Sequence, residues 1–138
     1  MVKCRMAESN QSFRDLTVYK KAFDLAMKIF EMTKEFPKDE KYSLTDQIRR
    51  SSRSVCSSIA EGYRKRDYQA YFVSKSSDAD MENSETQSWL DFSLACKYID
   101  DVKYNELLKR SEEVGRLLNH MVENPEKYLK QKSKNSKL

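Results

Sequence analysis

At 138 residues the chain suits one domain, long enough to bury a core without disulfides or a metal ion. Two glycines and two prolines leave a turn-rich β fold almost no punctuation, so an all-helical domain is the natural reading. A net charge of +4 with 35% charged residues is compatible with a polyanionic partner without demanding one.

No apolar run reaches the length of a membrane span, and the opening residues, Met1 to Met6, are not followed by the apolar core of a secretory signal. We therefore expect a cytoplasmic protein with no membrane partner. Cys4, Cys56 and Cys96 form no C-x-x-C pair, and their odd number argues against a disulfide framework. His120 is the single histidine, too few for a zinc or histidine-rich metal site, and we expect no cofactor.

In chain order, residues 1–12 are polar and aperiodic and form a loose lead, with Ser12 or Asp15 as caps for the first helix. The bundle domain spans residues 13–125. Its first helix is predicted over residues 16–35 and carries two apolar stripes. One runs through Leu16, Tyr19, Phe23, Met27 and Phe30, the other through Val18, Ala22, Leu25, Ile29, Met32 and Phe36, the latter in heptad steps. Two seams need two surfaces, one the core and the other a subunit interface or the flank of a wide core. Phe36-Pro37 breaks the helix.

A second helix starts near Tyr42 or Ser43 and ends at Gly62, read as a left-handed C-terminal cap. Leu44, Ile48, Val55 and Ile59 trace its stripe, and Ser51 or Ser52 fills the middle, where small residues let a neighbouring helix approach. Asp67 is the expected N-cap of a third helix reaching about Lys97. Its segment 74–88 is so polar that it is either exposed, facing a polar cavity, or locally weak. A fourth helix runs from Asp101 or Tyr104 to Glu123, with Val102, Leu107, Leu108, Val114, Leu117, Leu118 and Met121 on one face. Asn124-Pro125 stops it, and residues 126–138 form a basic tail. Four helices with short turns pack most simply as an antiparallel up-down-up-down four-helix bundle, all-α.

Charge separates along this plan. Arg49, Arg50, Arg53, Arg64, Lys65 and Arg66 cluster on the second helix and the turn after it, with Tyr63 beside them, while Asp78, Asp80, Glu82, Glu85 and Asp91 make the third helix acidic. Arg49 and Arg53 share a face, and Arg50 is spaced to pair with Asp46. The six cations read as a phosphate-contacting patch for RNA or DNA. Equally, they complement the helix dipole and pair with the acidic helix, within or between subunits. Nothing suggests an enzyme or a small-molecule substrate. His120 lacks triad partners, the glycine-rich phosphate loop is absent, and Asp78, Glu82 and Glu85 lack the Glu-x-x-His motifs of a bundle metal site. Cys56 among serines reads as a small packing residue.

The segments Phe13-Arg14-Asp15-Leu16-x-Val18-Tyr19-x-Lys21-Ala22, Phe36-Pro37, Tyr42-x-Leu44-x-x-Gln47-Ile48-Arg49-Arg50 and Ser54-Val55-x-Ser57-x-Ile59-Ala60-Glu61-Gly62, with Arg64 just beyond, resemble the 23S rRNA intervening-sequence protein family. That family includes the accessory variability (Avd) proteins of diversity-generating retroelements. The resemblance, over about residues 13–99, implies a noncatalytic antiparallel bundle assembled as a ring-like homopentamer. In the retroelement branch it implies a basic surface that binds nucleic acid and a protein partner, the reverse transcriptase. Against the family pattern, this chain has Ser51, Ser52 and Arg53 where small or apolar residues are usual, Cys56 for a frequent proline, and Ser74, Ser76, Asp78 and Asp80 on the third helix.

Overall fold

Leu25 and Ile29, with Val18 and Ala22 a turn or two earlier, fall on one side of a 3.6-residue helix, and that side is where the first helix is buried. It is α1 (Thr17–Thr33) of a computed structural model that describes residues 12–129. Most of the N-terminal lead, Cys4 and the Lys-rich tail from residue 130 lie outside the described residues. A short 3-10 turn, Phe13–Asp15, precedes α1, and Ser12 caps that turn by accepting from the Arg14 amide at 3.1 Å.

The other helices are α2 (Asp46–Arg64), α3 (Gln69–Ala95) and α4 (Asp101–Glu123). Among the described residues there is no strand. α2 packs on α1 and α3, and α4 on α3 and α1, so each helix has two neighbours around a common centre. With short connections between α2, α3 and α4, the arrangement is the expected four-helix bundle. A π-helical turn, Lys41–Thr45, leads into α2, burying Leu44 and Thr45 while leaving Tyr42 outside.

Two apolar clusters make up the core. Val18, Ala22, Val55, Ile59, Tyr63, Phe72, Val114 and Leu118 belong to the larger, and Leu25, Ile29, Ile48, Leu90 and Leu107 to the smaller. Between them on three helices lies a layer of buried polar side chains: Ser51 and Ser52 on α2, Asn83 and Thr86 on α3, Ser111 on α4. Each is hydrogen-bonded. Ser51 and Thr86 hydroxyls meet at 2.8 Å, Ser52 Oγ donates to the Arg49 carbonyl at 3.1 Å, and Asn83 Nδ2 donates to the Ser111 carbonyl at 2.9 Å. Ser111 Oγ donates back to Asn83 Oδ1 at 2.9 Å, and Gln87 Nε2 donates to Ser111 Oγ at 2.9 Å. The polar segment of α3 is exposed on most of its circumference and turns one face inward, through Ser76, Ala79, Asn83 and Thr86, where hydrogen bonding offsets the cost of burying the polar groups.

Several expectations are corrected. Gly62 is not a left-handed cap, since no glycine among the described residues has positive φ and α2 continues to Arg64. Its value is space, because a Cβ there would lie 2.9 Å from Lys75 Cβ on α3. The left-handed residue is Lys97, φ 64°, closing α3. Its amide bonds the Leu94 carbonyl at 2.9 Å and the Tyr98 amide bonds that of Ser93 at 2.9 Å, a Schellman arrangement built without glycine. Asp67 does not cap α3, because Tyr68 takes the N-cap position and its side chain makes no capping bond. Asp100 does cap α4, accepting from the Lys103 amide at 2.8 Å. Val102, assigned to the apolar face of α4, is 77% exposed, because it lies in the first turn ahead of the packed face.

Candidate functional site

The six predicted cations divide by what they touch. Arg49 is drawn inward: its Nε donates to Thr33 Oγ1 at 2.7 Å, its Nη2 to the Phe30 carbonyl at 3.4 Å, and its guanidinium lies 4.7 Å from the Phe30 ring centroid. It thereby closes the C-terminal end of α1, where carbonyls lack helical partners and the dipole is negative. Arg66 is 8% exposed, donating to the Tyr63 carbonyl at 2.9 Å and lying 3.9 Å from that ring centroid. Both cations hold the fold.

The other four face outward. Arg53 is exposed and sits 5.7 Å from the Phe30 ring, so it shares one aromatic with Arg49 as the i, i+4 spacing predicts. Arg50 is exposed and reaches Gln47 Oε1 at 3.5 Å. The expected Arg50–Asp46 ion pair does not form, because Arg50 turns to Gln47 and to the side of α3 that carries Glu82. Arg64 is exposed, and Lys65 lies 5.2 Å from the Tyr71 ring centroid. Among the described residues none of the six comes within 4.0 Å of a carboxylate oxygen.

Carboxylates elsewhere do find cations. Lys75 bonds Glu61 at 2.8 Å and approaches Asp78 at 3.8 Å, and the bond to Glu61 is the main reason the Lys75 pKa is pushed up. Glu82 is pushed up by desolvation and then by Glu85, with Arg50 only partly offsetting them. That is the behaviour of a carboxylate without a close counterion. The basic strip and the acidic flank of α3 are therefore neighbours with no ion pair within 4.0 Å among the described residues, Arg50 acting on Glu82 only through its charge.

Arg50, Arg53 and Arg64 lie along the outer side of α2, spanning about 21 Å at the helical rise of 1.5 Å per residue. A shallow groove at the near end is lined by Tyr42, Asp46, Gln47, Arg49, Arg50 and Arg53, with Ser54 and Ser57 beyond them, so one carboxylate faces it among three arginines. Tyr63, which the sequence sets beside these cations, is buried, and the exposed tyrosines are Tyr42, Tyr68 and Tyr71. Tyr68 and Tyr71 follow the Arg64-Lys65-Arg66 run within five residues, a spacing visible in the sequence. Where α2 ends decides which rings emerge. On α1, Phe23 is 50% and Met27 42% exposed, so the middle of one predicted stripe is uncovered among the described residues, while Leu16 and Tyr19 pack on the core and Phe30 lies under Arg49 and Arg53.

Cys56 and His120 are each engaged by their surroundings. Burial pushes the Cys56 thiol up to about 11, far from the range of a reactive thiolate. His120 Nδ1 lies 2.7 Å from the Tyr128 hydroxyl, and among the described residues no three His, Cys, Asp or Glu side chains converge as metal ligands.

Residues 14–120 match the family model described as 23S rRNA-intervening sequence protein, which takes in all four helices nearly to the end of α4 and the whole basic strip. The chain belongs to this family. A crystal structure of a protein of unknown function from the S23 ribosomal protein family of Bacteroides thetaiotaomicron VPI-5482 superposes with a TM-score of 0.69 at 26% identity, covering 77% of this chain and 95% of that one. No curated protein matches the chain. Within this intervening-sequence protein, no described helix is long and apolar enough to cross a membrane.

Proposed function

We propose that this intervening-sequence protein is a noncatalytic, self-associating bundle of the cytoplasm that binds RNA through Arg50, Arg53, Arg64 and Lys65. One observation carries the reading: these four cations are exposed and none has a carboxylate within 4.0 Å among the described residues. A patch that existed to pair with α3 would have closed on its acidic flank, and Glu82 stays without such a partner. A line of unneutralised cations matches a phosphate backbone, where each neutralised phosphate releases counterions. Arg49 and Arg66 support that surface from below.

Arg64→Glu with Lys65→Glu, and separately Arg50→Glu with Arg53→Glu, are to be titrated against a structured rRNA fragment at several salt concentrations. Each pair is expected to weaken binding and to reduce the salt slope by about 0.7 to 0.9 for every phosphate no longer neutralised. Absence of binding at low salt, or binding indifferent to all four changes, overturns the reading. A protein partner, such as a reverse transcriptase, is the alternative. Its signature is RNA binding unaffected by the same variants together with loss of assembly, read by light scattering.

A further inference from the structure

The end of the bundle where α2 passes into α3 differs chemically from the rest of the strip. Tyr68 is 67% and Tyr71 37% exposed, at the N-cap and in the first turn of α3, and the exposed cations Arg64 and Lys65 end α2 a few residues before them in the chain. Tyr71 packs against Lys65, whose ammonium is 5.2 Å from the ring centroid, and Arg66 stacks at 3.9 Å on the buried Tyr63 below. Tyr68 is the extended N-cap of α3 and Tyr71 lies in its first turn, so two exposed rings emerge at one end of the bundle. The rings are flat, and Arg64 and Lys65, of which Lys65 lies over Tyr71, have no carboxylate within 4.0 Å among the described residues. A duplex, with its bases already stacked, offers such rings only its phosphates, whereas an unpaired strand offers both phosphates and base faces.

We infer that Tyr68 and Tyr71 form a stacking platform for unpaired RNA bases, with Arg64 and Lys65 holding the adjoining phosphates. The inference deepens the RNA-binding reading and rests on it, because it assigns the ligand as single-stranded at this end of the bundle. Charge supplies affinity that falls with salt, and stacking supplies affinity that does not. The two contributions are therefore separable in one titration.

The full chain is to be measured by fluorescence anisotropy against an unstructured single-stranded RNA, the same sequence as a duplex, and an abasic backbone of equal length. The wild type is expected to prefer the single strand. Tyr68→Ala/Tyr71→Ala is expected to lose about tenfold or more on the single strand, with the salt slope and abasic binding unchanged. Tyr68→Phe/Tyr71→Phe is expected to retain the affinity, which separates stacking from hydroxyl hydrogen bonding, and circular dichroism checks that both variants fold. Equal binding of all three ligands overturns the platform and leaves RNA binding standing. So does an alanine variant that binds like the wild type, or one whose only change is in oligomeric state. No binding of any ligand at low salt overturns the RNA-binding reading itself.

Discussion

Arg49 and Arg53 lie four residues apart on one helix and share one phenylalanine, yet they are expected to answer substitution differently. Arg49 makes two hydrogen bonds to the end of α1, so Arg49→Met should lower stability by about 1.5–3 kcal/mol, measured by urea denaturation. Arg53→Met removes only an exposed ring contact and should leave stability within about 0.5 kcal/mol while weakening RNA binding. Equal losses from the two would contradict the division of the strip into supporting and contacting cations. Gly62 is a second case of competing terms. Alanine gains about 1 kcal/mol of helix propensity, but its Cβ meets Lys75 Cβ at 2.9 Å, and overpacking costs about 1–3 kcal/mol. Gly62→Ala should therefore melt lower, and a higher melting temperature would show that α2 and α3 separate freely. Cysteine reactivity follows burial in the same way. Iodoacetamide at neutral pH should label exposed Cys96 in the folded protein and reach Cys56 only after unfolding, because burial holds that thiol protonated up to about 11.

Between helices, the Asn83–Ser111 pair is the most informative contact. Two reciprocal bonds at 2.9 Å join α3 to α4 between the apolar clusters, and Gly115 leaves the room, since a Cβ there would lie 3.3 Å from Asn83 Nδ2. Asn83→Ala takes away the acceptor of the buried Ser111 hydroxyl proton and the donor to the Ser111 carbonyl, leaving Gln87 as the remaining partner of Ser111 Oγ, and should cost about 1–3 kcal/mol. The double variant with Ser111→Ala should cost less than the sum, a coupling of about 0.5–3 kcal/mol in a double-mutant cycle. Additive losses would mean that the layer holds no register. A second inter-element contact gives a pH dependence. The Tyr98 hydroxyl donates to Glu40 Oε2 at 2.6 Å, joining the α1–α2 connection to the turn after α3. That bond, with a smaller one from Ser43, lowers the Glu40 pKa below 4.5 and pushes Tyr98 up to about 12. Its acid-side contribution is complete above 4.5 and is lost as pH falls through the lowered Glu40 value. On the alkaline side it is complete below 10.0 and is lost as pH rises through about 12. In Tyr98→Phe, an NMR titration should find the Glu40 midpoint moved upward toward its ordinary value.

At the scale of the whole molecule, α1 presents in the middle of one stripe two apolar side chains that the described residues leave exposed. Phe23 and Met27 are about half exposed beside Tyr19, which stacks on Phe23 at 6.0 Å between centroids. Association with further copies is the use that accords with the proposed self-associating bundle. Phe23→Glu with Met27→Glu should convert the protein to a monomer in light scattering while leaving the helical circular dichroism intact. An unchanged oligomer would move the interface elsewhere, with Met81 and Phe92 on α3 the next exposed apolar pair.

The number, order and rough limits of the helices were legible in the residues themselves, because apolar spacing of three and four and the Phe36-Pro37 and Asn124-Pro125 breaks are local features. The basic cluster was legible for the same reason, since charge is a property of composition along a short stretch. Tertiary packing alone decided that Arg49 and Arg66 turn inward while Arg50, Arg53 and Arg64 stay out, that Gly62 serves close approach rather than a turn, and that the serines, Asn83 and Thr86 form a bonded interior layer. Those outcomes depend on which side chain a neighbouring helix brings within about 3 Å, and a polar residue is buried or solvated according to whether that partner arrives. Helical periodicity specifies a face, and only the neighbour across it determines what that face does.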